Sequence, residues 1–165
     1  LGDIQGDDEQ GANLGAVGDA LSSYRKALAM LDALPASSGG ERERAVERLG
    51  LWRRIATAEA RGRGADQGLA AFAQTLAVGK ALLAQYPGDQ AVRQLYAEAL
   101  LEAARWRREA LDYPGSLAAA REARDLLAAL AAAGPDPSRS VALADAESAV
   151  GMALGRLGDL PEALA

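Results

Sequence analysis

Apolar and small residues recur along this chain at spacings of three and four rather than in alternation, a pattern that predicts helices throughout and leaves little room for strands. Ala20, Tyr24 and Ala27 fall on one helical face, and Ser116, Ala120 and Ala123 repeat that spacing. A weaker copy runs through Leu69, Ala73 and Leu76, after Gly64-Ala65-Asp66. Gly158-Asp159-Leu160-Pro161-Glu162-Ala163-Leu164 starts the same element again. With Ala20, Leu69, Ser116 and Ala163 as equivalent positions, the intervals are 49, 47 and 47 residues. A recurring interval of this size predicts one helical hairpin per repeat, with helices of about twenty residues and short connections.

Turn-forming residues divide the chain accordingly. Breaks fall at Pro35 to Gly40, Gly62 to Gly64, Tyr86-Pro87-Gly88-Asp89, Asp112-Tyr113-Pro114-Gly115 and Gly134-Pro135-Asp136-Pro137-Ser138. The expected helices are therefore 19–34, 41–61, 66–85, 89–111, 115–133 and 138–157. Leu1 to Ile4 reads as the end of an earlier helix, and Pro161 as the start of a further one. The acidic, glycine-rich stretch Asp7-Asp8-Glu9-Gln10-Gly11-Ala12-Asn13-Leu14-Gly15, between Gly6 and Gly18, is too polar to join a core and is expected to form a surface loop.

Two helices carry a distinct buried stripe. Leu49, Trp52, Ile55 and Ala56 form one, and Val92, Tyr96, Ala99, Ala103 and Trp106 form the other. The spacing of Ala20, Tyr24 and Ala27, followed by Leu28, resembles the second helix of a tetratricopeptide repeat. Trp52, Ile55 and Ala56 resemble that family's first helix. Gly158-Asp159, preceded by Val150-Gly151 and Leu154, resembles its hairpin corner. The resemblance implies an all-α fold, an α-α superhelix of stacked antiparallel hairpins. It would form a single domain over 1–165 with about three and a half units, cut from a longer protein at both ends. Two departures stand out: the interval exceeds the family's usual period of about 34 residues, and Ala73 and Ala120 stand where an aromatic is commoner.

A narrower likeness joins Leu1-Gly2-Asp3-Ile4-Gln5-Gly6, the acidic stretch and Ala20 to Leu28. Together they resemble the repeat tails of certain bacterial serine/threonine protein kinases and related signalling proteins. None of the kinase's own motifs is present, so the likeness implies a regulatory or scaffolding part and no kinase activity. Such tails sit on either side of a membrane, so the likeness implies no particular compartment.

Composition narrows the chemistry. The chain has 165 residues, 18 basic against 23 acidic, for a net charge of -5. That balance lacks the clustered positive field of a general nucleic-acid binder. No apolar run approaches the roughly 18 residues of a membrane span. Cysteine and histidine are both absent, which removes disulfides, thiolate nucleophiles, imidazole bases and the usual zinc ligands. Asp7, Asp8 and Glu9 lack the spacing of a helix-loop-helix calcium site. Gly62-Arg63-Gly64 and Gly79-Lys80-Ala81 lack that of a phosphate loop. Ser22, Ser23, Ser37 and Ser38 have no histidine to activate them. The reading is a non-catalytic chain that needs no cofactor or metal.

The candidate binding residues are arginines. Arg54 and Arg61, seven apart, share a face away from Trp52, while Arg105 and Arg108 lie one turn apart beside Glu98 and Leu101. In tetratricopeptide stacks the first helices line the concave face. The resemblance therefore implies that these four project into one groove suited to a protein or peptide, above all an acidic one. A solvated face is the plainer account of the surrounding Glu41, Arg42, Glu43, Arg44, Glu47 and Arg48. The alternative function is a structural element whose ends pack against other repeats or copies of itself.

Overall fold

The structure is a computed structural model and describes residues 2–35, 40–134 and 136–158, with side chains from residue 17 onward. Among these residues six helices follow in order: α1 (Gly2–Asp32), α2 (Glu41–Arg63), α3 (Ala65–Gln85), α4 (Gln90–Glu109), α5 (Tyr113–Ala132) and α6 (Pro137–Leu157). No strand occurs among the described residues. The five helices expected from 41 onward are all present, with ends within two residues of expectation. Pro161 lies outside the described residues.

The N-terminal expectation is overturned. Residues 7–15 form no loop, and Gly2–Ile4 is no separate helix end, because α1 runs unbroken from Gly2 to Asp32. Polarity decides whether a helix has a face to bury, not whether its backbone can coil. No proline precedes Pro35, and once the packed part of α1 is formed each added residue gains one hydrogen bond. The acidic residues also lie toward the positive end of the helix dipole. These gains oppose the roughly 1 kcal/mol that each glycine costs in a helix.

Aspartates start three of the helices. Asp89 caps α4 by accepting from the Ala91 and Val92 amides at 2.9 and 3.2 Å. Asp112 caps α5 through the Gly115 amide at 2.9 Å, and Asp136 caps α6 through the Ser138 amide at 2.9 Å. The break expected over Gly62 to Gly64 narrows to Gly64 alone, whose positive φ of 91° separates α2 from α3. Helix α4 ends differently: Leu111 holds a φ of 63° while the Leu111 and Asp112 amides donate to the Arg108 and Arg107 carbonyls. Gly158 holds a φ of 83° after α6. Gly64, Leu111 and Gly158 stand 47 residues apart in turn, so the chain reverses at a fixed interval.

Each helix packs against the next in sequence, and α4 also touches both α2 and α6. The first helices of successive hairpins thus contact one another directly. The main core joins Tyr96, Leu100 and Ala104 of α4, Ala120, Ala123 and Leu127 of α5, and Ala146, Val150 and Leu154 of α6. A smaller cluster groups Ala56, Phe72 and Ala103, with Trp106 packed against it. The expected stripe on α4 is buried at Val92, Tyr96, Ala99 and Ala103, and partly so at Trp106.

The register of α3 differs by one position from expectation. Leu69 is half-buried and Ala73 exposed, whereas Gly68, Phe72 and Thr75 are buried. Ala20, Gly68 and Ser116 therefore correspond, at two intervals of 48 residues, and Phe72 rather than Ala73 matches Tyr24 and Ala120. The cause is close approach. A Cβ built on Gly68 would lie 2.2 Å from the Ala60 Cβ, so only glycine lets α3 meet α2 there. Gly79 does the same for Tyr96, whose ring would sit 2.4 Å from an added Cβ. At Ser116 the hydroxyl instead donates to the Ala104 carbonyl at 2.8 Å.

Candidate functional site

On α2, the buried positions Leu49, Ile55, Ala56 and Ala60 leave Arg54, Thr57 and Arg61 on the remaining face. That face opens into a cleft of about 340 Å3, walled also by Tyr24 of α1 and by Arg53 and Glu102. A second cleft, of about 300 Å3, lies between α4 and α6. Leu101, Arg105 and Arg108 line one side of it, with Asp145, Ser148 and Met152 opposite. Glu102 borders both clefts. The four expected arginines therefore divide between two adjoining clefts instead of sharing a single groove, because α4 stands between them.

The clefts are related by the repeat. Arg53, Arg54 and Thr57 of the first match Leu101, Glu102 and Arg105 of the second, each 48 residues on. The polar wall between them is cross-linked from α2 to α4. Arg53 pairs with Glu98 at 3.0 Å and Glu102 at 3.1 Å, while the Thr57 hydroxyl donates to Glu102 at 2.6 Å. Glu102 is thus held from α2 and has little charge to spare for an incoming cation.

The arginines are not equivalent. Arg54 and Arg61 are exposed and make no ion pair among the described residues, and the half-buried Arg108 makes none either. Arg105 lies over the Trp106 ring, its guanidinium carbon 4.9 Å from the centroid, and reaches Glu109 only at 4.0 Å. Its Nε is buried without a hydrogen-bond partner. Guanidinium groups so disposed can engage a carboxylate through both of its oxygens.

Tyr24, Arg53, Thr57 and Glu102 were not anticipated as cleft residues. A signal for some of them does exist in the sequence, since complementary polar residues sit close to one repeat apart. Arg53 and Glu102 are 49 apart, Thr57 and Glu102 45, and Gln90 and Arg139 49, the last pair joined at 2.7 Å. Arg42 and Asp89, 47 apart, are joined too. That hydrogen bond, assisted by those from the α4 amides, holds the Asp89 carboxyl below its ordinary pKa against the opposing effect of burial. The Ser138 hydroxyl and amide do the same for Asp136. Burial, followed by the hydrogen bond to Glu122 at 3.0 Å, raises the Tyr96 hydroxyl.

Among the described residues, no group of three or more acidic side chains is placed to hold a metal ion. No helix among them is long and apolar enough to cross a membrane. No family model, curated protein or solved structure matches the chain.

Proposed function

We propose that this chain is a non-catalytic interaction module, a tetratricopeptide-like superhelix whose first-helix face takes an acidic peptide or protein segment. The observation that supports it is the pair of repeat-related clefts on that face, lined by Arg54, Arg61 and Arg108, none of which is engaged in an ion pair among the described residues. Thr57 and Arg53 anchor Glu102 between the clefts, so the wall is organised before a ligand arrives. The resemblance to repeat tails of bacterial signalling kinases supports a scaffolding or regulatory role.

The test is fluorescence anisotropy with a labelled glutamate-rich peptide. A charge-assisted hydrogen bond contributes about 1.5–3 kcal/mol, so R54A/R61A should weaken binding about tenfold or more, as should R105A/R108A. Helicity should be unchanged in both. Unaltered affinity in both variants would refute the reading.

A second reading, self-association through the ends, is favoured by one observation. The exposed large apolar side chains are concentrated there: Met30 and Leu34 at the close of α1, and Val141, Met152 and Leu157 on α6. Light scattering over a hundredfold concentration range distinguishes it. A rising mass that V141E suppresses supports association, and a constant mass excludes it.

A further inference from the structure

The stack repeats a seat for a helix. Helix α2 lies against α3 and α4, with Ala56 packed on the buried Phe72 and Ala60 close to Gly68. It also clasps α4, where Arg53 pairs with Glu98 and Glu102 and the Thr57 hydroxyl donates to Glu102. One repeat later α4 lies against α5 and α6, its Ala104 carbonyl accepting from the Ser116 hydroxyl. In each case a first helix covers the second helix of its own hairpin and the first helix of the next.

One repeat earlier the corresponding seat, on α1 and α2, has no such cover among the described residues. Gly64, Leu111 and Gly158 reverse the chain at intervals of 47 residues, and the position 47 before Gly64 is Val17. No reversal occurs there. Helix α1 runs unbroken from Gly2 to Asp32, so residues 2–16 carry the chain onward along the helix axis and not back beside α2. Ala20 and Tyr24, the counterparts of Gly68 and Phe72, are only half-buried. With Val17 and Ala58 they floor the first arginine cleft.

The repeat also fixes the charge of the cover. Glu102, which receives Arg53 and Thr57 from α2, has Arg54 as its counterpart 48 residues earlier. Arg54 and Arg61 are exposed and make no ion pair among the described residues, while the cleft's one carboxylate, Glu102, is already held by α2. A helix seated here as α2 sits on α4 meets Arg54 where Arg53 and Thr57 meet Glu102, so carboxylates are the complementary groups. Its seam residues are small, as Ala56 and Ala60 are, for its backbone to approach Tyr24 and Ala20.

We infer that this seat is filled in trans by a helix of a partner protein. The helix carries two carboxylates four residues apart, in place of Arg53 and Thr57, and a small residue three positions after each, in place of Ala56 and Ala60. It completes a hairpin with α1 and extends the row of first helices by one. The inference rests on the arginine-cleft reading and adds the conformation and residue pattern of the acidic segment.

The experiment adds to the whole chain a labelled helix-forming peptide of about twenty residues, with glutamates and alanines in that pattern. One counterpart of equal charge has a central proline, which bars the helix. Another has glutamine in place of the seam alanines, which keeps the helix but widens the seam. By anisotropy the first peptide should bind about tenfold more tightly than either counterpart, and its circular dichroism should gain helix on binding. Ala20→Trp, which obstructs the seam, should weaken it about tenfold, as should R54A/R61A. Should Ala20→Trp fail to fold, the glutamine peptide decides alone. Equal binding of the helical and proline peptides, both weakened by R54A/R61A, would overturn the inference and leave the arginine-cleft reading standing. If neither these nor the glutamate-rich peptide binds, both fall. A mass that rises with concentration and drops when the peptide is added would assign the seat to a second copy of the chain, and would overturn the assignment to a separate partner.

Discussion

Phe72 and Ala73 are neighbours in the chain and opposites in the fold. Phe72 is 1% exposed, enclosed by Ala56 and Ala103, while Ala73 faces solvent. Truncating a buried phenylalanine leaves a cavity that costs about 3–5 kcal/mol. Phe72→Ala should therefore lower the denaturation midpoint sharply, and Ala73→Ser should leave it within about 0.5 kcal/mol, as surface changes do. Equal effects in urea titrations would mean that α3 is turned by one position. Leu111 is a second instructive residue. A leucine with positive φ carries a penalty of about 1–2 kcal/mol that glycine avoids, and it is 70% exposed, with no packing to lose. Leu111→Gly should raise the melting temperature by a few degrees; a decrease would count against the hydrogen-bonded end described for α4.

Helix α4 owes its start to Asp89, and the same carboxylate joins α4 to α2 through Arg42. Its pKa is depressed in the folded protein, so its stabilising contribution is fully present above the unfolded value near 3.9. It fades as pH falls through the lower folded value. Across about pH 2 to 5, wild type should lose more stability than Asp89→Asn, which keeps the capping oxygen but not the charge. Parallel curves would show that the ion pair contributes nothing. At this scale most of the fold was legible beforehand: proline, glycine and aspartate mark element ends by local chemistry, which needs no knowledge of neighbours. What was hidden depended on contact between helices. Leu69 attracts attention as the larger apolar residue, yet Gly68 is buried because Ala60 leaves no space for a side chain. The polar stretch at 7–15 resembled a loop because a helix without a buried face has no hydrophobic period. In the site, the face bearing Arg54 and Arg61 followed from spacing within one helix. The roles of Arg53, Thr57 and Glu102 became visible only once α2 and α4 were set side by side.

Taken whole, the molecule is graded from its middle outward. Helix α4 packs against α2, α3, α5 and α6, whereas α1 packs chiefly on α2. Stability in such stacks is a sum of nearest-neighbour contacts, and local opening follows it. Amide exchange should therefore be slowest in α4 and α5 and fastest in α1, by orders of magnitude. Uniform protection would indicate a single cooperative block. The attachment of α1 has its own signature, since Glu59, almost wholly buried on α2, is shared by Arg25 of α1 and by Arg63. Arg25→Ala should quicken exchange in α1 with little change in α4.

The near contact of Gly68 with Ala60 limits how such a chain can be recombined. Excising one period so that α2 ran straight into α5 would preserve the spacing and helical phase within the hairpin, but would bring Ser116 toward the place that glycine now occupies against Ala60. The two hairpins are alike in plan and differ in fit. A shortened or duplicated descendant would need a compensating change at this seam before its helices could close.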